Sequence, residues 1–310
     1  MTSETHEADL SEFDAALDRI DCLRGHEREV EELSGGLTNV NLKVTTSEQS
    51  VVVRIPQAGS ELLSIDRRAE HLNSRAAADA GVGAPVLEFH EDPFLLVIGF
   101  LEGKTFTDDD LRDGAQLPRV AAACRQLHAG KRFVSDFDMF EVQRTYLGIV
   151  QEHGFRLPER YLEFADKVEQ IQRVLKARPT ETVPCNNDLL AGNFIDDGTK
   201  LWLIDYEYAG NNDACFELGN IWSEAVLPAP LLDVLVTAYF GRPRPVQVAR
   251  ARLFGLVAKY GWTLWASIQE GSSPTEMDFW SWGMEKYDRA VVEFDGPELH
   301  DLLAAARQPE

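Results

Sequence analysis

Apolar residues alternate with polar ones in short runs over the first hundred positions and then recur at helical spacing to the end of the chain. Leu10, Phe13, Leu17, Ile20 and Leu23, with acidic residues between them, predict an amphipathic helix from about 9 to 23 that packs on the first part of the molecule. Three β-type runs follow, Val30 to Leu33, Val40 to Thr45 and Val51 to Ile55, separated by Ser34-Gly35-Gly36-Leu37-Thr38-Asn39 and by Thr46 to Ser50. An Ala-rich helix with Glu70 in its first half is expected over about 62–80, then strands at Pro85 to Phe89 and Phe94 to Ile98. Gly99-Phe100-Leu101-Glu102-Gly103 interrupts the periodicity as a hinge. Beyond it the spacing predicts helices near 117–129, 139–152, 159–177, 213–226, 229–240, 245–270, 274–293 and 297–306. Ser273-Pro274-Thr275-Glu276 reads as the cap of the helix at 274.

Candidate chemistry concentrates between Val183 and Glu224. Asp188 lies on a loop, Asn193 follows after four intervening residues, and Asp205 ends the apolar strand-like run Leu201 to Ile204. Phosphoryl transfer to a hydroxyl needs a carboxylate that orients the hydroxyl and takes its proton, and oxygen ligands for magnesium. Asp188 suits the first role, and Asn193 with Asp205 suits the second. Each residue alone is as well explained as a turn former or cap; the ordered set is what points to chemistry. The S-G-G-L-T-N turn offers glycines, hydroxyls and an amide to phosphates, and local sequence fits a plain hairpin as well.

The segments C-N-N-D-L-L-A-G-N, L-I-D-Y-E-Y and F-E-L-G-N-I-W-S-E resemble the choline and ethanolamine kinase family, a branch of the aminoglycoside-phosphotransferase-like kinases. The resemblance extends upstream to the glycine turn and Val52-Val53-Arg54, and downstream to Y-G-W-T-L-W-A-S-I-Q at Tyr260 to Gln269, about residues 30 to 290 in all. It implies an α+β, bilobal, protein-kinase-like fold. The small antiparallel-sheet lobe with one helix would span 1–98, the hinge 99–104, and the larger, mainly helical lobe 105–310. It implies ATP and Mg2+, with Asp188 as base, Asn193 and Asp205 as metal ligands, and Arg54 with Glu70 as the pair that holds the phosphates. Ser34, Thr38, Asn39, Gly99 and Leu101 would also meet the nucleotide. Glu207, Tyr208, Glu224, Trp262 and Trp265 match positions around a small cationic alcohol.

A quaternary ammonium has no N–H to donate, so aromatic faces and carboxylates recognise it. Trp262 and Trp265, three apart, share one side of a helix. That helix is apolar nearly all round, so spacing alone fits a cage wall and a core position equally. Trp280 and Trp282 read as packing residues, with Trp282 or Tyr287 within reach of the pocket. Two positions depart from the family pattern. Asn186 stands where His is usual and Glu217 where Asp is usual; both bear on the bracing of the catalytic loop rather than on the chemistry.

With 310 residues, 44% hydrophobic and 26% charged, the chain is long enough for two cores. The net charge of −22 argues against nucleic acid or an anionic membrane as partner and is compatible with a cationic substrate. Four dispersed cysteines suggest neither a zinc site nor a disulfide framework. No run of eighteen apolar residues occurs and the N-terminus is acidic, so a soluble cytoplasmic protein without membrane insertion is expected. Two other readings stay open: a kinase of the same fold acting on an aminoglycoside, and a non-catalytic ligand-binding protein, which Asn186 and Glu217 would favour. Oligomeric state is not legible.

Overall fold

The structure, a computed structural model, describes residues 13–57, 59–92 and 94–309. The chain divides into two compact units, Met1–Gln57 with Pro85–Phe100, and Ala58–Ala84 with Leu101–Glu310. The expected α+β organisation is present, an antiparallel sheet in the smaller unit and mostly helices in the larger. The helix of residues 67–79 groups with the larger unit, a different line from a cut at 98.

The smaller unit is a five-stranded antiparallel sheet of β1 (Glu29–Leu33), β2 (Asn39–Thr45), β3 (Ser50–Pro56), β4 (Val86–Glu91) and β5 (Phe94–Gly99), in the order β1-β2-β3-β5-β4. Alternation puts Leu42, Val44, Val51, Val53 and Val97 on one face, where they pack with Leu17, Ile20 and Leu23 into a fully buried cluster. The continuous helix expected over 9–23 is not formed where it is described. It breaks into α1 (Asp14–Leu17) and a 3-10 turn at Asp21–Leu23, and positions up to 12 lie outside the described residues. The cause is Glu88, whose carboxylate accepts the backbone N–H groups of Asp21 (2.9 Å) and Cys22 (2.8 Å) and so caps a second, separate turn. At the glycine turn, Gly35 has φ +95° and a Cβ on Gly36 would collide with the Asn39 carbonyl oxygen.

The larger unit begins with α2 (Arg67–Asp79), which Asp66 caps by accepting from the backbone N–H groups of Arg68 and Ala69, both at 3.0 Å. After β6 (Lys104–Thr105) come α3 (Asp108–Arg112), which the apolar pattern did not predict, α4 (Leu117–His128), α5 (Met139–His153) and α6 (Ala165–Lys176). Four three-residue strands then frame the candidate chemistry: β7 (Val183–Cys185), β8 (Phe194–Asp196), β9 (Leu201–Leu203) and β10 (Gly210–Asn212). They pair as β10-β7 and β6-β8-β9. The rest is helical, with α7 (Ala214–Glu224), α8 (Ala229–Phe240), α9 (Pro245–Ser272), α10 (Phe279–Asp295) and α11 (Glu298–Ala305).

The helix expected from 274 starts five positions later. Asp278 is its cap, accepting from Ser281 N–H at 2.8 Å, while Ser273 and Pro274 terminate α9. Helices α7 and α9 touch through backbone. A Cβ on Gly219 would land on the Ala251 carbonyl oxygen, and one on Gly255 would lie 2.7 Å from the Gly219 carbonyl oxygen. Among the described residues, no helix is long and apolar enough to cross a membrane.

Candidate active site

Short strands β7 and β10 leave Asn186 and Asn187 fully buried at the start of the loop that carries Asp188. Buried backbone donors need partners, and Glu217 on α7 supplies them. Its Oε1 accepts from Asn186 N–H at 2.9 Å and its Oε2 from Asn187 N–H at 2.7 Å. Asn187 holds φ +68°, a conformation that costs most side chains about 1–2 kcal/mol and that Asn tolerates better than they do. Its amide meets that cost by donating to the carbonyls of Tyr208 (3.0 Å), Cys185 (3.2 Å) and Gly210 (3.2 Å), while its Oδ1 accepts from Asn212 at 2.9 Å.

Asn186, in the place of the usual His, donates to the carbonyls of Asp205 (2.7 Å) and Ile204 (3.1 Å), and its Oδ1 accepts from Asp188 N–H at 3.1 Å. It therefore ties the loop that carries Asp188 to the segment that carries Asp205. Glu217 reaches both amides despite its extra methylene, so neither departure from the family pattern leaves the loop unbraced. Beneath it, His128, Cys185 and Glu217 bring three ligand-type atoms within 4.8 Å of one another. Burial pushes the Cys185 thiol well above its usual pKa, and Glu217 is already committed to the loop, so this cluster acts as part of the brace.

Asp188 is half-buried. Burial, followed by the negative charges of Asp205, Glu224 and Glu207, holds its carboxyl well above the usual carboxylate range, with Lys286 opposing. Asn193 donates through Nδ2 to the Asp188 carbonyl at 2.7 Å, which leaves its Oδ1 as the atom for a cation. Asp205 has φ +63° and its carbonyl is fixed by Asn186. Oxygen donors from Asn193 and Asp205, beside an Asp188 carboxyl that feels the negative charges of Asp205, Glu224 and Glu207, fit a hard divalent cation such as magnesium.

The residues matched to the acceptor lie in the same unit. Trp265 Nε1 donates to the Tyr208 hydroxyl at 2.9 Å, Tyr208 meets Trp262 edge-on at 5.0 Å, and Trp262 Nε1 donates to Asn220 Oδ1 at 3.1 Å. Both tryptophans are buried, and Trp265 also packs against Phe279 and Trp282. Glu224 is ion-paired with Lys286. Glu207 and Glu70 share Arg67, whose Nη1 lies 3.3 Å from the first and 2.9 Å from the second.

Of the nucleotide-side residues, Leu101 and Glu70 belong to the larger unit, and Ser34, Thr38, Asn39, Arg54 and Gly99 to the smaller. In the latter, Thr38, Asn39 and Arg54 are buried, and Asn39 Nδ2 donates to Thr38 Oγ1 at 3.0 Å. Trp280 stacks under Arg156 and Tyr287 donates to the Glu159 carbonyl, so of the three further aromatics only Trp282 joins the Trp265 group. Sequence reasoning missed Asn187, Arg67 and Lys286. For Asn187 the doubled Asn-Asn before the base was the available signal; for Arg67 and Lys286 there was none.

A family model described as choline/ethanolamine kinase matches residues 30–243. A probable ethanolamine kinase from Arabidopsis thaliana is 26% identical over 299 residues, covering 84% of this chain and 78% of that protein. The crystal structure of a choline/ethanolamine kinase family protein from Mesorhizobium loti superposes with a TM-score of 0.84 at 29% identity, covering 96% of this chain and 98% of the other. Choline kinase LicA from Streptococcus pneumoniae shares the fold at a TM-score of 0.74 and 23% identity, over 86% of this chain and 93% of its own. With the spacing of Asp188, Asn193 and Asp205 and the braced loop that carries them, these matches establish that the chain belongs to the choline/ethanolamine kinase family and has its protein-kinase-like fold.

Proposed function

We propose that the protein transfers the γ-phosphoryl group of ATP, with magnesium, to the hydroxyl of choline or a related amino alcohol in the cytoplasm. The observation that carries this reading is Asp188, held on a loop braced by hydrogen bonds to Glu217 and Asn186 and subject to the charges of Asp205, Glu224 and Glu207. Asp188 would accept the proton of the acceptor hydroxyl, and Asn193 with Asp205 would hold magnesium, whose charge offsets that of the nucleotide phosphates. The residues proposed to meet the nucleotide are Ser34, Thr38, Asn39, Arg54 and Gly99 on the smaller unit and Glu70 and Leu101 on the larger, each taken from the family pattern.

The electrostatics favours a cationic acceptor for a chemical reason. Burial is the larger cause of the raised Asp188 pKa and the neighbouring carboxylates add to it; an ammonium group on the substrate would offset that second part and move the carboxyl towards the ionised form that can take a proton. Proton uptake is thus coupled to the presence of the correct substrate. Incubation with ATP, magnesium and a panel of choline, ethanolamine and their methylated relatives should give ADP and the phosphorylated alcohol. Absence of turnover with every member removes this reading.

A further inference from the structure

The Glu224 carboxylate at the end of α7 and the Lys286 ammonium on α10 form an ion pair with side chains only 4% and 6% exposed. The Lys286 ammonium also lies 4.0 Å from the centroid of the Trp282 ring. That ring meets Trp265 at 5.4 Å, and Trp265 is bonded through its indole N–H to Tyr208, three residues after Asp205. The aromatic group matched to the acceptor's cation therefore already contains a cation supplied by the chain.

A trimethylated ammonium is held by aromatic faces and an uncompensated carboxylate, without directional bonds. Here Lys286 takes a face of Trp282 and neutralises Glu224. What remains is directional: Glu224 Oε2 meets Lys286, whereas its buried Oε1 has no hydrogen-bond partner among the described residues. A buried carboxylate oxygen without a donor is costly, and an N–H on the incoming ammonium is the group that satisfies it. A quaternary ammonium leaves that oxygen unpaired.

Resting on the kinase reading above, we propose that Lys286 is a specificity-determining residue, and that the Glu224–Lys286 pair selects amino alcohols that keep at least one N–H on the ammonium nitrogen over quaternary ones. Lys286 acts by occupying the aromatic face and one carboxylate oxygen; Glu224 reads the N–H with the other.

The test is the series ethanolamine, N-methylethanolamine, N,N-dimethylethanolamine and choline, measured on the wild-type chain both as kcat/KM and, by calorimetry, as affinity. The first three should agree within several-fold and choline should fall at least tenfold below dimethylethanolamine, because only the last methylation removes the final N–H. Lys286→Met, which keeps length and removes charge, should raise the choline-to-ethanolamine ratio at least tenfold, chiefly through a lower KM for choline. A purely structural role for Lys286 would change all four alcohols together and leave the ratio fixed.

Choline equal to or better than dimethylethanolamine in turnover overturns the assignment and leaves the kinase reading intact. Binding in the expected order without phosphate transfer upholds the assignment and removes the kinase reading. Binding of none of the four overturns it. The wild-type series needs no variant, so it decides the question even where Lys286→Met does not fold.

Discussion

The loop around Asp188 and the wall around Glu224 are both buried and both polar, yet their hydrogen-bond accounts differ. In the loop, the strained Asn187 and its neighbour Asn186 have partners for the backbone and amide groups described, through Glu217, Asn212 and five carbonyls. In the wall, Glu224 Oε1, and Asn220 Nδ2 beside Trp262, have none among the described residues. A satisfied network specifies a single geometry, and an unsatisfied one stores a demand for a donor or an acceptor. The first region holds the Asp188 loop in one geometry; the second keeps free hydrogen-bonding valence, as the proposed role in recognition requires.

The largest effect that could break this contrast is on turnover. Asp188→Ala should lower kcat by about three orders of magnitude, within the range for a positioned proton acceptor, with nucleotide affinity unchanged in a binding titration. A loss of tenfold or less would strip Asp188 of its role. Next, Glu217→Ala removes the acceptor for two buried N–H groups and should cost about 3–5 kcal/mol in urea unfolding. A cost near zero would show that the loop does not depend on the brace.

Smaller is the pH response. Because the folded-state pKa of Asp188 is raised, the native chain binds more protons than the unfolded one between the ordinary aspartate range and that raised value, and stability falls as pH rises through this window. Asp188→Asn abolishes the effect. It should be more stable than wild type at pH 8 by on the order of 1 kcal/mol, with the difference vanishing near pH 4, by denaturant titration at both. Smallest of all is the double variant Glu224→Gln with Lys286→Met, which replaces a buried pair by neutral groups of like shape. It should unfold within about 1 kcal/mol of wild type, whereas a loss of several would place the wall in the same class as the loop.

The linear motif made the proposed base and both proposed metal ligands legible, since Asp188, Asn193 and Asp205 lie within one eighteen-residue span of fixed order. The strands of the sheet and most helices followed from period alone. What escaped depends on contacts between distant positions. Glu88 interrupts the first helix from 66 residues away, and Arg67 reaches Glu207 across 140. Ser273 and Pro274 carry a signal that serves equally to end one helix or begin another, and only the Asp278 cap decides between them. Lys286 is silent in sequence because a lysine on a charged helix face is ordinary; its meaning comes from Glu224 and Trp282 closing round it.

The glycine contact between α7 and α9 sets a limit on how this chain can be re-engineered. Gly219 lies two positions after Glu217, and Gly255 seven before Trp262, so backbone touching backbone fixes the spacing between the brace and the tryptophan pair without any side chain that could be trimmed or enlarged. Substitutions on α7 or α9 that need a different separation of the two helices meet this backbone contact first. Helix α10 reaches the same neighbourhood by side chain alone, through Trp282 against Trp265 and Lys286 against Glu224, so its positions can be varied without touching that backbone contact.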